Sequence, residues 1–146
     1  MCGAAVSYQS RKLKIVPQSS AESELAVYAE AAKDLQFVLN IASELKFQIP
    51  LPVPIYCDNQ AAVANITNIG ATARTRHYEK WLMYGREQYI HKVSSPTWVT
   101  TEHQVADIFT KALDKTTFLK FRALLMNDKC TTVTSFLRGL VTMMGS

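Results

Sequence analysis

Apolar and polar positions along this chain fall into stretches with different periods. Leu25, Tyr28, Ala32, Leu35, Leu39 and Ala42 recur in alternating three- and four-residue steps, which predicts a long helix over about 21–47 with one buried face. Ser19 and Glu22 stand at capping-box spacing at its start, where hydroxyl and carboxylate can satisfy orphan amides reciprocally. Pro50, Pro52 and Pro54 close the helix and lead into Val53–Cys57, a short apolar run that predicts a buried strand ending on Asp58. A short helix is expected over Asn59–Asn68, finishing near Gly70, and an amphipathic one over Thr75–His91 with Tyr78, Trp81, Leu82, Gly85 and Tyr89.

Pro96 opens a predicted strand, Thr97–Thr100, and Thr101 with Gln104 repeats the capping-box spacing ahead of a helix burying Val105, Ile108, Phe109, Ala112 and Leu113. A last helix is expected over Thr117–Met126, and a short first strand over Ala4–Tyr8. Strand, long helix, strand, helices, strand, helix makes an α/β class with a mixed sheet. The organisation reads as one domain over 1–128 followed by a tail, 129–146, without a clear period.

Composition changes this picture little. The 146 residues are 48% apolar and 19% charged, ordinary for a globular chain. The apolar runs are too short and too broken by charge to span a bilayer, and Met1–Ala5 runs into polar Ser7, Gln9, Ser10 and Arg11 rather than a signal sequence. An intracellular setting is therefore expected. Cys2, Cys57 and Cys130 make an odd count without a CxxC pair, which argues for free thiols over a disulfide framework or a zinc site. The net charge of +4 permits nucleic-acid binding without requiring it. Its cations gather at Arg11, Lys12 and Lys14, at Arg74, Arg76, His77 and Lys80, and at Lys111, Lys115, Lys120 and Arg122.

Three carboxylates stand out. Glu24 precedes Tyr28 by one helical turn, at the N-terminal end of a face built for burial, where it either serves chemistry or complements the helix dipole. Asp58 closes the strand, where open α/β sheets place ligands, and is equally well placed as the N-cap of the next helix. Asp107 lies beside Val105 and Ile108 in the first turns of its helix and has a dipole reading too. Together they make a set of hard oxygen ligands at strand and helix ends, which suits Mg²⁺ or Mn²⁺ better than zinc.

Four segments carry a resemblance. Gln18–Leu25, Ile55–Ala62, Ala73–His77 and His103–Lys111 are similar, in order and spacing, to the motifs of the ribonuclease H domain of copia-type LTR-retrotransposon Pol polyproteins, over about residues 3–127. The resemblance implies a ribonuclease H-like mixed sheet flanked by helices. It implies a cluster of four carboxylates holding two Mg²⁺ ions that cuts the RNA strand of an RNA–DNA hybrid. Glu24, Asp58 and Asp107 fall on three of those ligand positions. Arg74, Arg76 and His77 match the basic signature expected on the hybrid's phosphates, and His103 falls near an accessory histidine of related enzymes. The reverse transcriptase domain of the same polyprotein is the implied covalent partner. Glu79 stands where the family usually has aspartate.

Against that pattern, no Asp or Glu occurs between Met1 and Ala21, so the family's first ligand has no counterpart in these residues. Gly3–Tyr8 would match the family's third strand, and the fold is expected to lack the first two. Of what remains, Thr131–Met144, with Val133, Phe136, Leu137, Leu140 and Val141, is the stretch left to cover the exposed sheet. Two functions are therefore expected: a ribonuclease H domain impaired by loss of the first aspartate, or a non-catalytic nucleic-acid-binding or scaffold remnant of a retroelement.

Overall fold

Ser19 sets the start of the longest element. Its backbone is extended and its hydroxyl accepts the Glu22 amide at 3.2 Å, releasing α1 over Ser20–Glu44. The computed structural model describes residues 5, 7, 8, 10, 17, 19–70 and 78–126. After α1 come β1 (Val53–Cys57), α2 (Gln60–Thr67), α3 (Glu79–Ile90), β2 (Ser94–Trp98), two 3-10 turns (Thr101–His103 and Val105–Phe109) and α4 (Lys115–Met126). The class is α/β, consistent with a ribonuclease H-like fold of reduced sheet: among the described residues the sheet has two strands, β1 and β2, paired in parallel.

The main core lies between α1, the sheet, α2 and α3. Leu25, Tyr28, Ala32 and Leu35 of the expected stripe are buried against Val53, Ile55, Ala62, Ile66 and Leu82, with Leu39 packed at the margin. Tyr28 ties three elements together. Its hydroxyl exchanges a 2.8 Å hydrogen bond with Ser94 Oγ of β2, while its ring passes under Gly85 of α3. A Cβ at Gly85 would meet Tyr28 Cδ1 at 3.3 Å, so the missing side chain is what allows α3 to close on the ring.

Both helices that flank this core end on lysine in the left-handed region, Lys46 (φ 60°) and Lys92 (φ 54°). Around each, the paired bonds of a Schellman motif form: Phe47 N to Ala42 O (2.8 Å) with Lys46 N to Ser43 O (3.0 Å), and Val93 N to Gln88 O (3.0 Å) with Lys92 N to Tyr89 O (3.0 Å). The end of α2 is satisfied differently. The buried Arg86 side chain reaches from α3 to the carbonyls of Asn65 (3.0 Å), Asn68 (2.5 Å) and Gly70 (3.4 Å), bracing the C-terminal end of α2 and the residues that follow.

The structure departs from the sequence pattern at four elements. The second strand begins at Ser94, not Thr97, with Pro96 inside it opposite Ile55. The ladder explains why proline is tolerated: Val53 N bonds to Val93 O and Val99 N to Cys57 O, so odd-numbered positions of β2 carry the bonds and Pro96 needs no donor there. Pro54 occupies the equivalent outward register of β1.

The expected helix after Thr101 is a pair of 3-10 turns without a side-chain cap. Thr101 lies inside the first turn and Gln104 has extended backbone between the two, which leaves each run too short to propagate an α-helix. Asp114 then caps α4 through the Thr116 and Thr117 amides at 2.8 and 3.1 Å, starting it two residues ahead of expectation. Finally, Ala5, Ser7 and Tyr8, the described members of the expected first strand, lie in no strand. Ala5 N donates instead to Leu125 O (2.9 Å) and Ala5 packs on a second, smaller core with α4 and the second 3-10 turn, while the exposed Tyr8 ring stacks on Phe109 at 5.5 Å. Residues 71–77, at the expected start of the Thr75–His91 helix, and the tail 129–146 lie outside the described residues.

Two stability measurements follow. Tyr28→Phe strands Ser94, which is 0% exposed, and is expected to cost about 1–3 kcal/mol in urea unfolding, with Ser94→Ala in the same background adding little. Lys92→Gly relieves the left-handed strain and is expected to raise stability by up to about 1 kcal/mol, since the conformation costs an L-residue roughly that much.

Candidate metal centre

The carboxyl end of β1 is where side chains of opposite origin meet. Asp58 is the first residue past the strand, and the competition over its role is decided by its neighbour. Asn59, not Asp58, caps α2, with its side-chain oxygen accepting the Ala62 amide at 3.1 Å. Asp58 is thus left out of the cap and half-buried. Glu24 arrives from α1, one turn before Tyr28, and its carboxylate comes to the same spot. Carboxylate oxygens of Glu24 and Asp58 and the Cys57 sulfur all lie within 4.8 Å of one another.

Cys57 is the last residue of β1, 4% exposed and free. Its thiol lies 3.6 Å from Glu24 Oε2 and 3.7 Å from the Asn59 carbonyl. Burial pushes it up to about 12, so at neutral pH it faces Glu24 as a protonated donor.

Asp107 sits in the second 3-10 turn and is buried. It is close enough to act on Glu24 electrostatically but is not part of the tight trio. Its Oδ2 accepts from Lys111 Nζ at 3.0 Å, an i, i+4 pair whose lysine is half exposed. A small cleft lined by Glu24, Tyr28, Ile55, Cys57, Gln104 and Ala106 runs from the trio to that turn. Glu24 carries the electrostatic cost of this arrangement. Burial raises its carboxyl above the ordinary range and the charge of Asp58 raises it further, while the Cys57 hydrogen bond and Lys111 pull it back.

The sequence-expected ligands therefore divide: Glu24 and Asp58 are brought together, and Asp107 stands beside them tied to Lys111. His103 is exposed, its Nδ1 2.8 Å from Thr100 Oγ1. Arg74, Arg76 and His77 lie outside the described residues. Sequence reasoning passed over two members of the site. Cys57 is by cysteine count a buried or free thiol, as found, but its place at the strand end beside Asp58 is the signal for its part in the site. Lys111 was read as one of a basic cluster, although its four-residue spacing from Asp107 pairs them on a helical turn. Glu22, whose backbone amide donates to the Ser19 cap, is buried to 5% exposure. A separate groove lies between α1 and α3, lined by Lys33, Trp81, Tyr84, Ile90 and His91 and by none of the candidate ligands.

Comparison with known proteins gives relatives at the level of sequence. The chain is 32% identical over 116 residues to the retrovirus-related Pol polyprotein from transposon RE2 of Arabidopsis thaliana and 31% identical over 116 residues to that from transposon RE1 of the same plant. It is 28% identical over 116 residues to the retrovirus-related Pol polyprotein from transposon TNT 1-94 of Nicotiana tabacum. Each match takes in 80% of this chain but only 8, 8 and 9% of the respective polyprotein. The aligned segment is thus of retrotransposon Pol origin. No protein-family model matches the chain, and no solved structure matches it.

The raised carboxyl of Glu24 has a measurable consequence. Between the ordinary glutamate range and its raised folded value, the folded state holds the proton more tightly than the unfolded state, so stability falls as pH rises through that window. Glu24→Gln removes the buried charge. Its thermal midpoint is expected to exceed that of the parent by a few degrees at neutral pH, and the difference to shrink as pH is lowered through the glutamate range. A variant less stable than the parent at neutral pH would contradict this.

Proposed function

We propose that this chain is a ribonuclease H-like domain of a copia-type retrotransposon Pol polyprotein, whose parent reaction is hydrolysis of the RNA strand of an RNA–DNA hybrid, and that these 146 residues by themselves carry that reaction out weakly. One observation carries the reading: Glu24 and Asp58 converge from α1 and β1 at the carboxyl end of a parallel strand, although burial and mutual repulsion oppose it. Two carboxylates held together at such a cost, with neither used as a helix cap, are the arrangement that a divalent cation rewards. The Pol relatives support the same reading.

The donor set is oxygen-rich and suits Mg²⁺ or Mn²⁺. Glu24 and Asp58 would hold such an ion, with Asp107 the next carboxylate in reach. A divalent cation bound there supplies Lewis-acid polarisation of a phosphoryl oxygen and a lowered pKa for attacking water. What the protein contributes is the placement of these oxygens at one strand end. Lys111 pairs with one oxygen of Asp107, Oδ2, which leaves Oδ1 as the oxygen with which Asp107 would reach an ion.

Arg74, Arg76 and His77 are proposed to contact hybrid phosphates, which position a duplex without reading its sequence. His103, exposed at the first 3-10 turn, is an accessory candidate, and a reverse transcriptase domain of the same polyprotein is the proposed neighbour. With no acidic residue ahead of Glu22, the second ion of the parent chemistry has one ligand fewer, which is the ground for weak activity.

The test is cleavage of a labelled RNA–DNA hybrid in Mg²⁺ or Mn²⁺. Slow cutting is expected, lowered by Asp58→Asn at least roughly 100-fold, beyond what loss of a ligand's hydrogen-bond partner costs. Rapid cutting would refute the impairment. Salt-sensitive hybrid binding without cutting would favour a non-catalytic nucleic-acid-binding remnant instead.

A further inference from the structure

Cys57 is placed where strand geometry would put any small apolar residue, yet its sulfur faces two acceptors. One is Glu24 Oε2 at 3.6 Å, from another element; the other is the Asn59 carbonyl at 3.7 Å, two residues along. A thiol carries one proton and makes one donor bond at a time. The Asn59 carbonyl already accepts the Val63 amide at 3.2 Å, and its second lone pair is open to the thiol. Asn59 is itself fixed, because its side chain caps α2.

We propose that Cys57 is a positioning residue for Glu24: its S–H bond holds Oε2 toward Asp58 in the cation-free protein and transfers to the Asn59 carbonyl when Glu24 turns to an ion. The inference rests on the reading of Glu24 as a ligand. Its economy is that the buried donor has a partner in both states, so freeing the carboxylate strands no polar group. Asn59 then has two tasks, capping α2 with its side chain and receiving the thiol with its backbone. The strand end therefore needs a small donor: an aliphatic side chain would fill the space without orienting the carboxylate, whereas serine keeps an O–H that bonds to Glu24 after a small approach of the carboxylate.

Two measurements on the full chain test this. The first is the infrared S–H stretching band of Cys57, isolated from those of Cys2 and Cys130 by subtracting the spectrum of Cys57→Ser. Glu24→Ala is expected to move that band to higher wavenumber, as loss of a carboxylate acceptor requires, whereas Glu44→Ala leaves it in place. A band indifferent to Glu24→Ala overturns the proposal. The second is Mn²⁺ affinity by electron paramagnetic resonance, with thermal melts of each variant reporting packing separately. Cys57→Val, similar in volume but without a donor, is expected to bind about 10-fold more weakly, and Cys57→Ser to stay within about threefold of the parent. Equal affinities for the valine and serine variants overturn the positioning role. Parent protein that takes up no Mn²⁺ overturns the cation reading of the site, and the infrared band then decides the Cys57–Glu24 contact by itself.

Discussion

Tyr28 is the constraint on which the arrangement of this molecule turns. Its hydroxyl is committed to Ser94 of β2 and its ring is locked beneath Gly85, so the rotation of α1 about its own axis is set relative to the sheet and α3 at once. Glu24 lies one turn earlier on the same side of the helix and inherits that setting. The tyrosine brings the carboxylate to the end of β1 by holding the helix in phase, and the Cys57 thiol donates to it there. Burial also raises the Tyr28 hydroxyl to about 12, which keeps it a neutral partner for Ser94.

The carboxylate site is in this sense an imposed structure. Glu24 and Asp58 repel one another, and Glu24 is half removed from water. Opposing this are one weak donor, the Cys57 thiol, and one partly exposed cation, Lys111, which spends its charge mainly on Asp107. Neither cancels the cost. Folding energy from the core around Leu25, Leu35, Val53 and Ile66 holds the acids in place, the usual relation between a packed scaffold and a strained functional cluster.

Much of this was legible from residue order. The stripe from Leu25 to Ala42 is a long, strongly periodic signal, and the strand Val53–Cys57 sits between prolines and an aspartate that leave little freedom in its limits. What escaped reading follows from weaker local physics. Ser94 and Ser95 carry no apolar pattern, and β2 forms because a committed β1 offers it a ladder in which proline fits. The Thr101–Gln104 pair has capping-box spacing but too little helix behind it. Lysine at a left-handed C-terminal position hides a stop that glycine would have announced. At the site, Asp58 and Asn59 are both good caps by composition, and only the three-dimensional course of α2 separates the cap from the candidate ligand.

The two prolines in the sheet give its borders a character of their own. Pro54 and Pro96 occupy the outward register of their respective strands, so each border left unpaired among the described residues is short of one amide donor near its middle. A stray β-segment approaching from either side finds an interrupted row of partners, and two copies of the molecule cannot zip border to border through an unbroken ladder. Any strand that does extend this sheet must be shaped to the gap, accepting only from Tyr56 on one flank and leaving a carbonyl unanswered opposite Pro54. The sheet is thereby selective about its neighbours even though it is only two strands wide among the described residues.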